Sequence, residues 1–175
     1  MKSQDHRLLT AAQQYAKLRS NPICMGEGAL QAGRLVWRFE ASPSPLGRTY
    51  MLRIVYQQGE PPKIYVDSPD LTLLADGRKL PHVYEQKPTR LCLYLPKQRE
   101  WQSWMRLDET IVPWATLWLY YFEEWLASDD WKGGGVHVED RRDERARLPW
   151  SIKRRRGRPV RRWSRYEERS DAKKD

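Results

Sequence analysis

LVWRFEASPSPLGRTYMLRIVYQQGEPPKIYVDSP, residues 35–69, is the stretch that decides the fold class. It contains three short runs rich in β-branched and aromatic residues: Leu35 to Ala41, Thr49 to Tyr56 and Lys63 to Pro69. Side chains of these types suit a pleated, half-buried surface. The connections SPSPLG and QQGEPP are built from proline, glycine and polar residues, which punctuate strands. Connections this short join neighbouring antiparallel strands, because a parallel pair needs a crossover of about a dozen residues or more. The reading is an antiparallel meander.

On the N-terminal side, residues 4–19 place Leu8, Leu9, Ala12, Tyr15, Ala16 and Leu18 near helical spacing. Asn21-Pro22 stops that helix, since the residue before a proline avoids the α region. A glycine-containing stretch, MGEGALQAG, residues 25–33, follows. On the C-terminal side, Leu71 to Leu107 is expected to be mostly irregular with short strand pieces, and Asp76-Gly77 marks a turn. A long loop region inside a compact domain is usually functional.

The main helix is expected from Thr110 to Ala127, with Thr110 as N-cap and Pro113 in the first turn, where proline is tolerated. It is apolar nearly all round until Glu123 and Glu124, so it is buried or lies at an interface. Six of the nine tryptophans fall between Trp101 and Trp131, as expected of a core packed around that helix. Glycines 133–135 follow it and read as a hinge or helix stop. The fold class is α+β, about four antiparallel strands backed by helices.

The chain has 175 residues, about one domain's length, which excludes a large multidomain enzyme. Its 32 Lys and Arg against 23 Asp and Glu give a net charge of +9. Residues 139–175 hold 15 of the basic and 8 of the acidic residues, a net of +7, which leaves +2 on residues 1–138. The division is therefore a nearly neutral domain, 1–138, and a basic Arg-rich tail, 139–175. The tail includes KRRRGRPVRRWSR, residues 153–165, with eight basic residues and no acid. Three readings of it stand: a solvated extension, a phosphate-binding arm for nucleic acid, or an arm that docks on an acidic protein surface. Trp150, Trp163 and Tyr166 interleave with the charges, so part of it is suited to ordering on a partner.

The N-terminus lacks the apolar run of a signal peptide, and the longest apolar stretch, Ile111 to Phe122, is 12 residues, too short to span a bilayer. A soluble, cytoplasmic protein with no membrane partner is expected. Cys24 and Cys92 form no disulfide framework or metal pair. With three histidines and no glycine-rich phosphate loop after a strand, no metal or cofactor is expected.

Cys24, in NPICMGEG, reads as a buried or incidental thiol. Cys92, in RLCLYLP, reads alone as a buried structural cysteine. Three surrounding features change that. His82 lies ten residues before it, Trp101 nine residues after it, and the long apolar helix follows.

This order resembles the ubiquitin-conjugating-enzyme family, whose members carry a ubiquitin-like protein as a thioester. That family has strands, a Pro-Pro turn and a further strand; here TYMLRIVY is followed by GEPPKIYVDSP. Its His-Pro-Asn motif stands about ten residues before an Ile-Cys-Leu that holds the nucleophile. The corresponding residues are His82-Val83-Tyr84 and Leu91-Cys92-Leu93. Its following tryptophan and core helix match Trp101 and Thr110 to Ala127, and the resemblance spans about residues 30–130. LCLYLPKQREW, MRLDETIVPWATLWLYYFEEWL and the Trp-x-Gly-Gly-Gly-x-His piece are similar to bacterial stand-alone relatives. These accompany cGAS-like nucleotidyltransferases in CBASS antiphage defence operons.

The resemblance implies a ubiquitin-conjugating-enzyme-like fold and a thioester between Cys92 and the C-terminal carboxylate of the nucleotidyltransferase. Transfer of that acyl group to an amine would then prime the synthase. Activation is expected from another protein, or to be bypassed. A thiol suits this work because thioester exchange is near neutral in energy and a thiolate is strongly nucleophilic.

Where the family has asparagine, thought to support the oxyanion, this chain has Tyr84. The donor is then the Tyr84 hydroxyl, a backbone N–H, or none. His82 fixes the loop beside the cysteine through ring hydrogen bonds, acts as a general base, or is a surface histidine. His137, after the glycines, is a candidate to fold back towards Cys92. Asp129 and Asp130 follow the helix where the family often has an acidic residue near the cysteine, and Asp130 is the catalytic candidate. Arg90, two residues from Cys92, shares its face in an extended segment and is either a thiolate partner or a solvated arginine. The competing function is a catalytically silent module of the same fold that recruits the nucleotidyltransferase or nucleic acid through its tail.

Overall fold

A computed structural model describes residues 7–95 and 98–134. The boundary at 138/139 and the basic tail lie outside these residues. The architecture is α+β: a six-stranded antiparallel sheet and three α-helices among the described residues.

The strands are β1 (Gly26–Gln31), β2 (Arg34–Ala41), β3 (Tyr50–Gln57), β4 (Lys63–Ser68), β5 (Val83–Glu85) and β6 (Arg90–Leu91). Their order across the sheet is β1-β2-β3-β4-β6-β5. The expected meander is β2 to β4, in register Trp37 with Ile54 and Ile54 with Ile64. Alternation sends Leu35, Trp37 and Phe39 of β2, and Tyr50, Leu52, Ile54 and Tyr56 of β3, to one buried face.

Six strands replace the expected four for two reasons. β1 carries no hydrophobic alternation because every one of its residues is exposed. It is held instead by a tight hairpin to β2, whose turn residues Ala32 and Gly33 both have positive φ, 49° and 73°. β5 and β6, three and two residues long, are the short strand pieces expected between Leu71 and Leu107, too short for periodicity to place or count.

The helices are α1 (Ala11–Ser20), α2 (Leu71–Leu74) and α3 (Ile111–Ser128). α1 starts later than the expected residue 4. Thr10 and Gln13 form a capping box that fixes its start, and the Leu9 N–H donates to the Ser103 carbonyl (2.9 Å). The buried Gln14 amide ties α1 to the loop before α3, donating to the Met105 carbonyl (2.8 Å) and accepting from Leu107 N–H (3.0 Å).

α3 matches its expected span within one residue. Thr110 is its N-cap by position, but the hydroxyl donates to the Arg106 carbonyl (2.6 Å) and makes no side-chain cap bond. Its stop is Asp129 in the left-handed conformation (φ 58°), so the glycines that follow do not end the helix. Ile111, Ala115, Trp118, Leu119 and Phe122 are buried in one core with the inner face of the sheet. Tyr50 meets Phe122 edge-on (6.5 Å between centroids), and its hydroxyl donates to Glu123 (2.9 Å). No described helix is long and apolar enough to cross a membrane.

Candidate active site

Cys92 directly follows β6 and is half-buried. Its N–H donates to the His82 carbonyl (3.0 Å), which joins the two motif segments. The same carbonyl accepts the indole N–H of Trp118 in α3 (3.0 Å). His82 is buried and has a positive φ of 47°, a conformation costing a non-glycine residue on the order of 1–3 kcal/mol. Two donors to its carbonyl and a ring stack on Trp131 (4.9 Å, 22°) hold it there.

Tyr84 owes its position to a bulge. Val83 pairs with Leu91 and Glu85 with Arg90, so Tyr84 is one extra residue on β5. Bulges of this kind re-aim side chains beside functional sites. The Tyr84 hydroxyl donates to the Tyr94 carbonyl (2.9 Å), and the ring lies close enough to Cys92 for the two side chains to influence each other's ionisation. Burial raises its pKa most, followed by the Cys92 side chain and the charge on its sulfur, with Arg90 opposing. The net shift is upward, so near neutral pH the phenol keeps its proton and remains a donor.

Arg90 lies over the Tyr84 ring (4.8 Å) and pairs with Glu85 (3.0 Å). A guanidinium on a phenol face is a cation–π contact, which steadies the ring that reaches Cys92. The sequence placed Arg90 near the sulfur; the structure gives it Tyr84 as an aromatic partner.

Cys92 opens on a cavity of about 260 Å³. His82 and Leu93 form one wall, and Trp114, Leu117, Trp118 and Tyr121 of α3 form another. Trp131, Gly133 and Gly134 close it. A Cβ on Gly133 would lie 2.7 Å from the Trp131 indole nitrogen and 2.9 Å from the Tyr121 ring, so only glycine lets the chain pass this closely. The four α3 residues were legible as a helix face but not as a cavity wall. The signal was that α3 is apolar nearly all round, more than one core contact requires.

With this geometry in place, the sequence match is informative. The family model described as type II CBASS E2 protein (E2-CBASS) matches residues 14–138. The chain belongs to the type II CBASS E2 family. Membership gives it an E2-like role in CBASS, with conjugating-enzyme activity as the general class. The matched span includes every element described above from Gln14 onward, and both His82 and Cys92. No curated protein matches the chain.

The remaining candidates of this E2-family chain fall elsewhere. The Asp129 carboxylate pairs with the Arg78 guanidinium, which also donates to the Ala75 carbonyl (2.9 Å) and lies over Trp125 (4.5 Å). Asp129 thus closes the end of α3. Asp130 is exposed, its N–H donating to the Ser128 hydroxyl (3.3 Å), and it is not among the residues lining the cavity. His137 lies outside the described residues. Trp101 is a core residue, edge-on to Tyr56 (5.8 Å).

Cys24 is fully buried, with Sγ 4.0 Å from the Asp108 carbonyl. Burial first, then the negative charge of Asp108, push its thiol up to about 11, which suits a structural thiol. Among the described residues no group of three His, Cys, Asp or Glu side chains is placed to hold a metal ion.

Proposed function

We propose that the chain has a ubiquitin-conjugating-enzyme-like fold and carries the C-terminal acyl group of its CBASS nucleotidyltransferase as a thioester on Cys92. The acyl group then passes to an amine, which primes the synthase. The observation that carries the reading is a half-buried thiol at the edge of an apolar cavity, its N–H held by the His82 carbonyl.

In the first step the Cys92 thiolate attacks the carbonyl carbon of an acyl donor already activated by another protein. A C–S bond forms and the activating group leaves with its electron pair. In the second step an amine attacks the thioester carbon. The C–S bond breaks, sulfur departs as thiolate, and the nitrogen loses its proton to solvent or a base. Both steps place negative charge on the carbonyl oxygen. The Tyr84 hydroxyl, in the sequence position where the ubiquitin-conjugating family has asparagine, becomes the donor for that oxygen by turning from the Tyr94 carbonyl, to which it donates in this structure. His82 acts by holding the loop: its carbonyl binds the Cys92 N–H and its ring is stacked on Trp131.

Cys92→Ser tests this. A serine ester is more stable than a thioester, so coexpression with the nucleotidyltransferase is expected to trap an adduct that survives reductant and hydroxylamine at neutral pH. If the adduct persists in Cys92→Ala, the acyl group is on another residue and the proposal fails.

A further inference from the structure

We infer that the free edge of β1 pairs with β1 of a second copy of this chain, antiparallel about a two-fold axis, so that the two sheets become one. This edge lies apart from Cys92, and the pairing does not depend on the carrier reading proposed above.

The sheet ends in β1 on one side and β5 on the other. β5 is blunted, being three residues long and bulged at Tyr84. Short, irregular edges resist further pairing. β1 is six residues long, pairs with β2 without a register shift, and is exposed at every residue. Among the described residues nothing pairs with its outer side. It holds no lysine or proline, the residues that commonly protect an edge, and its one charge is Glu27.

The hairpin decides which backbone groups face outward. A two-residue turn closes on a hydrogen-bonded pair, here Gln31 with Arg34, and such pairs alternate along an antiparallel ladder. Ala29 and Glu27 therefore bond to Val36 and Arg38. The Val36 and Arg38 carbonyls do face β1, since a Cβ on Gly28 or Gly26 would clash with them. That leaves the N–H and C=O of Gly26, Gly28 and Leu30 pointing away from the sheet. At the two glycines no side chain shields these groups. Glycine inside a strand often marks the close approach of another backbone.

A second β1 fits this edge. With Gly28 opposite the partner's Gly28, the outward residues meet one another, and Leu30 falls opposite the partner's Gly26. The pairing makes about six hydrogen bonds. Leu30 is 39% exposed and lies on the same face as Gly26, so each leucine covers the partner's bare glycine. Glu27 falls opposite the partner's Ala29 and has its own Arg38 on its other side, so no like charges face each other. The match is the same patch on both copies and closes on itself. Both Cys92 sites stay open, because Cys92 follows β6 near the far edge of the sheet.

The test uses the full chain. Sedimentation velocity is run from micromolar to near-millimolar protein, with amide hydrogen exchange read by NMR over the same range. The mass is expected to rise from 20.9 kDa towards twice that. The amides of Gly26, Gly28 and Leu30 are expected to gain protection as it rises, while those of Glu27, Ala29 and Gln31 are protected throughout. Leu30→Lys puts a charge on the edge at an exposed position, and is expected to weaken the dimer about tenfold or more with the melting temperature unchanged. The alternating exchange pattern needs no variant, and it decides the matter if that one misfolds.

A chain that stays monomeric over the whole range, with the three outward amides exchanging fast, overturns the inference. So does a dimer in which those amides stay fast, since its interface then lies elsewhere. Protection of the same amides in a monomer also overturns it, because another segment of the chain then covers the edge.

Discussion

The two cysteines of this chain have opposite environments, and their reactivity should differ accordingly. Burial and the charge of Asp108 raise the Cys24 thiol to about 11, which leaves roughly a hundredfold less thiolate near neutral pH than its ordinary value of 9.0 would. Cys92 is half-buried at the edge of a cavity. Iodoacetamide at pH 8 is therefore expected to modify one thiol per native chain, mapped to Cys92, and both after denaturation. Equal labelling of the two in the native state would contradict the assignment. Tyr84→Phe keeps the ring under Arg90 and removes only the hydroxyl. Loss of an oxyanion donor costs about 10²–10³ in rate. Single-turnover acyl transfer is expected to fall by about 10²-fold, a larger effect than the loss of about 1 kcal/mol of stability expected from removing the hydrogen bond to the Tyr94 carbonyl. At this scale the sequence put Cys92 and His82 forward together, and the structure joins them through the Cys92 N–H and the His82 carbonyl. The sequence did not reveal the Arg90 stack, because a guanidinium two residues from the sulfur can face several partners and only the bulge at Tyr84 decides which.

At the scale of elements, the site is built by three contacts between distant segments. The His82 carbonyl receives donors from Cys92 and from Trp118 of α3, and the chain after α3 returns to stack Trp131 on the His82 ring. Gly133 allows that return. Gly133→Ala must displace the Trp131 or Tyr121 ring, since the added Cβ would lie under 3.0 Å from both. Overpacking of this kind costs typically about 1–3 kcal/mol. The expected result is a lower melting temperature together with slower acylation of Cys92, read by thermal melt and intact mass on the same samples. Unchanged acylation would show that the return of the chain is not part of the site. The meander and α3 were readable because alternation and an unbroken apolar run are strong local signals. β1 was not, since a glycine-rich strand with no buried residue has no pattern to read. β5 and β6 are the short strand pieces expected between Leu71 and Leu107, but their positions were not readable, since they exist through pairing rather than propensity.

Across the whole molecule, one polar cluster ties the N-terminal helix region to the start of α3. The Asp108 side chain is fully buried and accepts from Asn21 (3.0 Å) and Arg106 (2.5 Å). Burial alone would raise its pKa, but the hydrogen bonds from Arg106 and Asn21 outweigh that and hold it below the usual carboxylate value. A depressed folded-state pKa contributes stability that is present above the unfolded value, near 4, and is lost as pH falls through the folded one. Asp108→Asn is therefore expected to cost about 2 kcal/mol at pH 7, with the gap to wild type narrowing below about pH 4 in chemical denaturation. A gap that is constant with pH would show that the charge is not what stabilises the cluster. The charge division, a net +2 on residues 1–138 and +7 on residues 139–175, is plain in the sequence, and what the basic segment meets is not. Phosphate and an acidic protein surface ask for the same arginines.

The central claim is that Cys92 carries an acyl group, and intact mass tests it most directly. Wild type and Cys92→Ala are coexpressed with the nucleotidyltransferase, purified, and weighed before and after hydroxylamine and, separately, thiol reductant. The account predicts an adduct on wild type alone, with the mass of the partner less one water, released by hydroxylamine. Reductant alone would also release a disulfide, so hydroxylamine is the deciding reagent. A partner that copurifies without any covalent adduct on wild type, even with an activating protein supplied, would contradict the account and favour a silent binding module.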